Sequence, residues 1–361
     1  MTTKEAAYKQ IESLVLRFDE QIESYKKDYN ETNTRRDFID PFFKALGWDI
    51  DNSQGYAEAY REVIHEDKIK IAGATKAPDY SLRLPGGKRL FEKKKKKPSV
   101  AVKSDILPAY QVRRYAWSAK MPVSILTDFE EFAIYDCNKK PNPTDKASVG
   151  RIKYITYKNY LEEFDFIWDT FSKEKVLKGS FDKFIASDKN KKGTTTVDKD
   201  FLASLDEWRK ELALNIALRN EQLTEDELNY VLQLTLDRII FLRIAEDRAV
   251  EDYGRLKKCT DSSSSDASPL LGGAGGGSYY QNLFTYFKEA DSKYNSGLFD
   301  FAKDNISKGI VIDNKAIKKI ITELYYPVSP YEFSVLSVEI LGSAYEQFLG
   351  KQIRLTPGHR A

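Results

Sequence analysis

The sequence predicts an α/β or α+β domain built on a mixed sheet, followed by a unit made of helices alone. Three observations predict it. Helical and strand patterns run in the order helix, helix, strand pair, helix, strand pair over roughly the first 150 residues, the order of a layered α/β or α+β fold. Beyond about residue 158 the strand signals vanish and helical periodicity alone remains. The chain has 361 residues, 41% of them apolar, which exceeds what one hydrophobic core usually organises and suffices for two. The expected domains are 1–155 and 156–361.

Each element has its own signal. Over 4–29, Ile11, Leu14, Val15, Phe18, Ile22 and Tyr25 recur at helical spacing. A second helix is expected over 34–46, kinked or restarted at Asp40-Pro41, because proline suits a first helical position. Gly47 is its expected stop. Tyr80-Ser81-Leu82-Arg83-Leu84 alternates as a strand does, Pro85-Gly86-Gly87 turns, and Arg89-Leu90-Phe91 resumes, so 79–94 reads as a hairpin. Ser104 is the expected cap of a helix to about Lys120, with Pro108 in its first turns. Val123-Ser124-Ile125-Leu126-Thr127 and Glu131-Phe132-Ala133-Ile134-Tyr135 supply the last strand pair, and the sheet is expected to end near 150.

Helices are then expected over 159–172, 199–219, 224–250, 279–290, 313–325 and 334–349. The third opens on Thr224-Glu225-Asp226-Glu227, a capping-box pattern. Stretches 262–265 and 272–277 have the Ser/Gly composition of a linker. Trp117, Trp168 and Trp208 are expected in cores. Glu246-Asp247-Arg248 reads as helix salt bridging, since consecutive residues do not share a helix face.

Composition excludes several classes. No window approaches the roughly 18 consecutive apolar residues of a membrane span, and the N-terminus has no apolar signal core. The expected location is the cytoplasm. Cys137 and Cys259, with His65 and His359, cannot build a Cys/His zinc site, and a disulfide is not expected in a reducing compartment. Any metal must rest on oxygen ligands, which points to Mg²⁺, Mn²⁺ or Ca²⁺. The net charge of +2 comes from 57 basic and 55 acidic residues and neither suggests nor excludes nucleic acid. Stretch 88–103 is strongly basic, and Arg113-Arg114 adds to it if the two segments lie close.

The chemistry-bearing set is Pro78-Asp79 and Glu92-Lys93-Lys94. Hydrolysing a phosphodiester at neutral pH needs a metal to activate water, and a nearby cation. Carboxylates on adjacent strands can share one Mg²⁺, and side chains two apart on a strand share a face. Asp79 on one hairpin strand with Glu92 and Lys94 on the other fits that geometry. In a chain that is 31% charged the pattern also arises by chance. Asp79 as a hairpin cap, Glu92 as a surface charge and the lysines as a solvated face therefore stand beside the catalytic reading.

With Gln111-Val112-Arg113-Arg114-Tyr115 on the following helix, the segment resembles the PD-(D/E)-x-K nuclease fold, in the subgroup with a Gln-x-x-x-Tyr motif. Thr34-Arg35-Arg36-Asp37-Phe38-Ile39-Asp40-Pro41-Phe42-Phe43-Lys44-Ala45-Leu46-Gly47-Trp48-Asp49 resembles the N-terminal helix of type I and type IIG restriction enzymes. Leu236-Asp237-Arg238-Ile239-Ile240-Phe241-Leu242-Arg243-Ile244-Ala245-Glu246-Asp247-Arg248 and Ser337-Val338-Glu339-Ile340-Leu341-Gly342-Ser343-Ala344-Tyr345-Glu346-Gln347-Phe348-Leu349-Gly350 resemble the helical connector of single-chain type IIG enzymes. The resemblance implies a Mg²⁺-dependent endonuclease, with Mn²⁺ able to substitute, acting on double-stranded DNA. It further implies S-adenosylmethionine-dependent methyltransferase and target-recognition domains beyond the connector. On this basis Asp79 and Glu92 hold metal, and Glu31 on an early helix completes the shell. Lys94 or Lys96 stabilises charge, and Gln111 and Tyr115 orient the site or the DNA.

The family's pattern is apolar-apolar-Glu-x-Lys-Lys-Pro. Anchored on Lys97-Pro98 it sets the acid at 94, where this chain has Lys94, and the lysine at 96. Lysines at 93 and 95 of a central strand would face a core, where unpaired ammonium groups are costly. Three readings follow: the strand ends near Glu92 with Glu92 and Lys94 catalytic, the site is inactivated, or the lysine run differs from the natural sequence. The rival function is a catalytically silent DNA-binding or structural module bracing a methyltransferase.

Overall fold

Thr3 opens the first helix, α1 (Lys4–Glu20), by accepting from the Ala6 amide at 3.2 Å. Ala7, Ile11, Leu14, Val15 and Phe18 form its buried stripe. The helix expected over 4–29 divides at Gln21, whose backbone leaves the helical region, and resumes as α2 (Ile22–Asp28). The next helix comprises α3 (Glu31–Thr34), a π turn (Arg35–Ile39) and α4 (Asp40–Ala45). Pro41 explains the irregularity. It has no N–H to give the Asp37 carbonyl, which takes a bond from the Arg17 guanidinium instead. Gly47, at φ +92°, ends the helix as expected, and the Trp48 amide closes back on the Phe43 carbonyl at 3.2 Å.

The structure, a computed structural model, describes residues 2–28, 31–65, 70–71, 74–75, 80–83, 89–94, 101–187, 196–261, 278–336 and 342. The Ser/Gly tract and nearly all of the expected helix 334–349 lie outside them. The chain forms two compact units, Met1–Ile69 with Thr75–Val197, and Lys70–Ala74 with Asp198–Ala361.

The first unit is built on six strands: β1 (Val63–His65), β4 (Tyr80–Arg83), β5 (Arg89–Lys94), β6 (Val123–Thr127), β7 (Glu131–Asp136) and β8 (Arg151–Thr156), hydrogen-bonded in that order. Two short strands, β2 (Lys70–Ile71) and β3 (Ala74–Thr75), pair separately. The β4–β5 hairpin is antiparallel, as its turn residues predicted, whereas β5 and β6 run parallel. Parallel neighbours need a crossover, and α5 (Ile106–Ser118) provides it, packing on both. Asp105 rather than Ser104 occupies its N-cap. The sheet is therefore mixed. The sheet runs past 150, where it was expected to end, into the edge strand β8, which alternates charged and apolar residues and is only half covered.

One face of the sheet (Leu82, Val123, Ile125, Phe132, Ile134, Ile155) shares a core with α1, α4 and the helices after β8. Those helices are α6 (Phe164–Phe171), α7 (Lys173–Leu177) and α8 (Ser180–Ser187). The first unit consequently runs to Val197 rather than to about 155, because Phe164, Ile167, Trp168, Phe171 and Phe181 complete its core. The alternate row of Ser124, Leu126, Ala133 and Tyr135 is also buried but lies outside that cluster, on the side of α5.

The second unit contains α9 (Val197–Arg219), α10 (Glu225–Asp247), α11 (Arg255–Lys258), α12 (Tyr279–Tyr294) and α13 (Asn314–Glu323). The capping box forms at α10: Glu227 donates its amide to Thr224 Oγ1 at 3.2 Å, and its carboxylate accepts the Thr224 amide at 2.9 Å. Glu246 and Asp247 are buried, and both pair with Arg243. Glu246 also accepts from the Gly254 and Leu256 amides and from Tyr325 Oη at 2.9, 2.8 and 2.6 Å. The two acids are committed to structure, as the sequence indicated, whereas Arg248 is exposed and reaches the Leu336 carbonyl at 3.5 Å. Among the described residues no helix is long and apolar enough to cross a membrane.

Candidate functional site

The register of β5 organises the candidate site. Glu92 stands opposite Ser81 of β4 and Ser124 of β6. Lys94 stands two residues further along, opposite Leu126. The strand does not end near Glu92: β6 continues the ladder, with Lys93 opposite Ile125 and Lys94 opposite Leu126. A parallel neighbour that satisfies the backbone outweighs the poor strand preference of the lysines. Lys93 accordingly takes a register position beside Ile125, which is fully buried.

Asp79 directly precedes β4 and lies outside the described residues, as does Lys96. Glu31 is the first residue of α3, and its side chain lies outside the described residues. Gln111 and Tyr115 fall one turn apart on α5, the helix that packs on β5; Tyr115 is buried and Gln111 half-buried. The backbone thus assembles Glu92, Lys94, Gln111 and Tyr115 on one strand and its crossover helix. Among the described residues no three His, Cys, Asp or Glu side chains cluster as a metal site.

Arg113 and Arg114 do not extend the basic stretch. Both are buried, at 2% and 6% exposure, and Arg113 Nη1 meets Asp145 Oδ2 at 3.0 Å. Arg113 is thus part of a structural ion pair. Gly150, at φ +72°, passes so close that an added Cβ would stand 3.1 Å from the Asp136 carbonyl and 3.2 Å from Arg113 Nε. Only glycine fits there without displacement.

Glu131 forms a brace that no local pattern marks. Its carboxylate accepts the Val102 amide at 2.6 Å and the Tyr154 hydroxyl, and its own amide donates to Asp128 Oδ1 at 2.8 Å. Burial, then the Glu131 carboxylate, push the Tyr154 hydroxyl well above its ordinary pKa, so it stays a donor. Arg151 adds a bond to the Lys103 carbonyl at 2.9 Å. The segment following the lysine run is thereby pinned to β7 and β8 before it enters α5. Ser124, a serine inside the apolar strand Val123–Thr127, is buried with its Oγ 3.2 Å from Cys137 Sγ.

A separate cleft of about 820 Å³ in the first unit is lined by Trp48, Asp51, Tyr56, Trp168, Lys173 and Leu177 among others, and by none of the candidate residues. Its ammonium groups are taken: Lys44 pairs with Asp51 at 2.5 Å, and Lys173 pairs with Glu62.

The arrangement is suited to presenting an acid and an ammonium from one strand beside a helix bearing an amide and a phenol. No family model and no solved structure matches this chain. Over 349 residues, 96% of its length, the chain is 37% identical to the Type II restriction enzyme and methyltransferase RM.Eco57I of Escherichia coli, and it spans about a third (33%) of that protein.

Proposed function

We propose that the chain is the endonuclease and helical-connector region of a restriction–modification enzyme, and that it hydrolyses phosphodiester bonds of double-stranded DNA. The observation that carries this reading is the likeness along 96% of the chain to a protein named as both restriction enzyme and methyltransferase. The mixed sheet, with its hairpin, crossover helix and parallel strand, agrees with a PD-(D/E)-x-K nuclease.

Asp79 and Glu92, with Glu31, would hold Mg²⁺ or Mn²⁺ through carboxylate oxygens, the donors a hard cation prefers. The residues flanking Glu92 in register are two serines, Ser81 and Ser124. When bound, the metal supplies activation of water and screening of the scissile phosphate. Lys94, two residues from Glu92, stabilises charge on the phosphate, with Lys96 as the next ammonium along. Gln111 and Tyr115 orient these groups or the DNA from α5. S-adenosylmethionine belongs to a methyltransferase domain outside these residues, as does target recognition, so cleavage by this region alone is weak and without sequence choice.

Plasmid cleavage with Mg²⁺ and with Mn²⁺, for this protein and for Asp79→Ala, tests the reading. Metal-dependent nicking that Asp79→Ala abolishes is expected; activity that survives the substitution refutes the site. A second reading, a silent module that binds DNA or braces a methyltransferase, is favoured by Lys94 standing where the family pattern has its acid. No cleavage with either metal selects it.

A further inference from the structure

The second unit carries a basic face that plays no part in the site above. Helix α11 packs on α13. Each buries its apolar side, Leu256 from α11 and Ala316, Ile317, Ile320 and Ile321 from α13. Together the two helices hold Arg255, Lys257, Lys258, Lys315, Lys318 and Lys319 against the single acid Glu323. In a chain whose net charge is only +2, that is a strong local excess.

Two of the six are neutralised. Arg255 pairs with Glu251 at 3.1 Å and with Glu289, and Lys319 pairs with Glu211 at 2.5 Å. The other four, Lys257, Lys258, Lys315 and Lys318, are exposed and have no carboxylate in reach among the described residues. Other lysines of the same unit do find acids: Lys210 with Asp206, Lys293 with Glu251 and Lys303 with Asp300, at 2.6, 2.6 and 2.8 Å. Beside Lys315 and Lys318 lies a hollow of about 360 Å³, completed by Lys319, Thr322, Glu323 and Val328. The one carboxylate there accepts from Trp208 Nε1 at 2.5 Å.

We propose that the α11–α13 face of the helical unit binds the phosphate backbone of duplex DNA. Unpaired ammonium groups on a rigid helical face attract a polyanion and gain from the counterions it releases. Lysine is a point charge without the planar fork that reads a guanine edge. The face therefore holds DNA without choosing sequence. It rests on the restriction–modification reading only for the choice of polyanion.

The test is fluorescence anisotropy of a labelled duplex across a salt series in EDTA, where metal-dependent cleavage cannot occur. It compares the protein with the Lys257→Gln/Lys258→Gln/Lys315→Gln/Lys318→Gln variant. At about 0.9 per phosphate contact, the slope of log K against log salt should become shallower by roughly 2 to 4. Binding at low salt should weaken about tenfold or more. The same four positions changed to Arg should restore both, and the variant Lys210→Gln/Lys303→Gln should alter neither. All variants should keep the parent's melting temperature, because the changed side chains are exposed. An unchanged slope and affinity overturn the proposal, as does loss of binding to polyglutamate with DNA binding intact, which assigns the face to an acidic protein. A parent that binds DNA through this face in EDTA yet cleaves with neither metal fails the nuclease reading alone, so a failure of that reading and a failure of this one give different results.

Discussion

Asp237 on α10 provides a test of how the helical unit responds to pH. Its carboxyl is half-buried, and burial is the main cause that lifts its pKa from 3.8 to about 6. A bond from Gln233 Nε2 at 2.9 Å and the charges of Arg209 and Arg238 pull it down, but not enough to offset burial. An acid whose pKa is raised on folding favours the fold while it is protonated. Its contribution is thus complete below about pH 3.8 and is lost as pH rises through about 6. At about 1.4 kcal/mol per pH unit, the interval from 3.8 to about 6 sets a ceiling near 3 kcal/mol. Partial exposure brings the expected loss to ~1–3 kcal/mol. Asp237→Asn retains the Oδ1 acceptor for Gln233 and removes the ionisation. Urea unfolding, followed by hydrogen exchange in peptides from Val197–Arg219 and Glu225–Asp247, should show the variant more stable by that amount at pH 7.5. Near pH 4 the two proteins should converge. If the parent instead gains stability between pH 4 and 7 and Asp237→Asn loses it, attraction to Arg209 and Arg238 outweighs burial and the reasoning is wrong.

Arg238 Nη2 meets Asp304 Oδ2 at 2.7 Å with both side chains 1% exposed. Burial tends to raise the Asp304 pKa, but bonds from Ser307 and Arg238 outweigh it and hold the carboxylate ionised. Asp304→Ala, which leaves that guanidinium buried without its acid, should cost ~3–5 kcal/mol in urea unfolding of the helical unit. Thr224→Ala removes the acceptor of the Glu227 amide and should cost about 1 kcal/mol, seen as faster exchange in the first turn of α10. Glu92→Gln should abolish plasmid cleavage while leaving duplex binding in EDTA unchanged. Cleavage that persists would remove Glu92 from the metal shell.

Whatever local physics controls was legible in the residues alone. Alternation around Pro85-Gly86-Gly87 marked the hairpin that became β4 and β5. The capping box at Thr224 and Glu227 formed where the pattern placed it, and Gly47 stopped its helix by the left-handed backbone that glycine tolerates. The rest depended on contacts between distant segments. Lys93 and Lys94 have little strand preference, yet they extend β5 because β6 lies parallel beside them and satisfies their backbone, a pairing between segments some thirty residues apart. Arg113 and Arg114, which look like surface charge in the sequence, are buried, and Asp145 and the close approach of Gly150 enclose Arg113. The helices after β8 join the first unit because its aromatic core is incomplete without Phe164, Trp168 and Phe171. Propensity and capping act within a few residues and can be read one segment at a time. Burial, register and ion pairing depend on which distant segments meet.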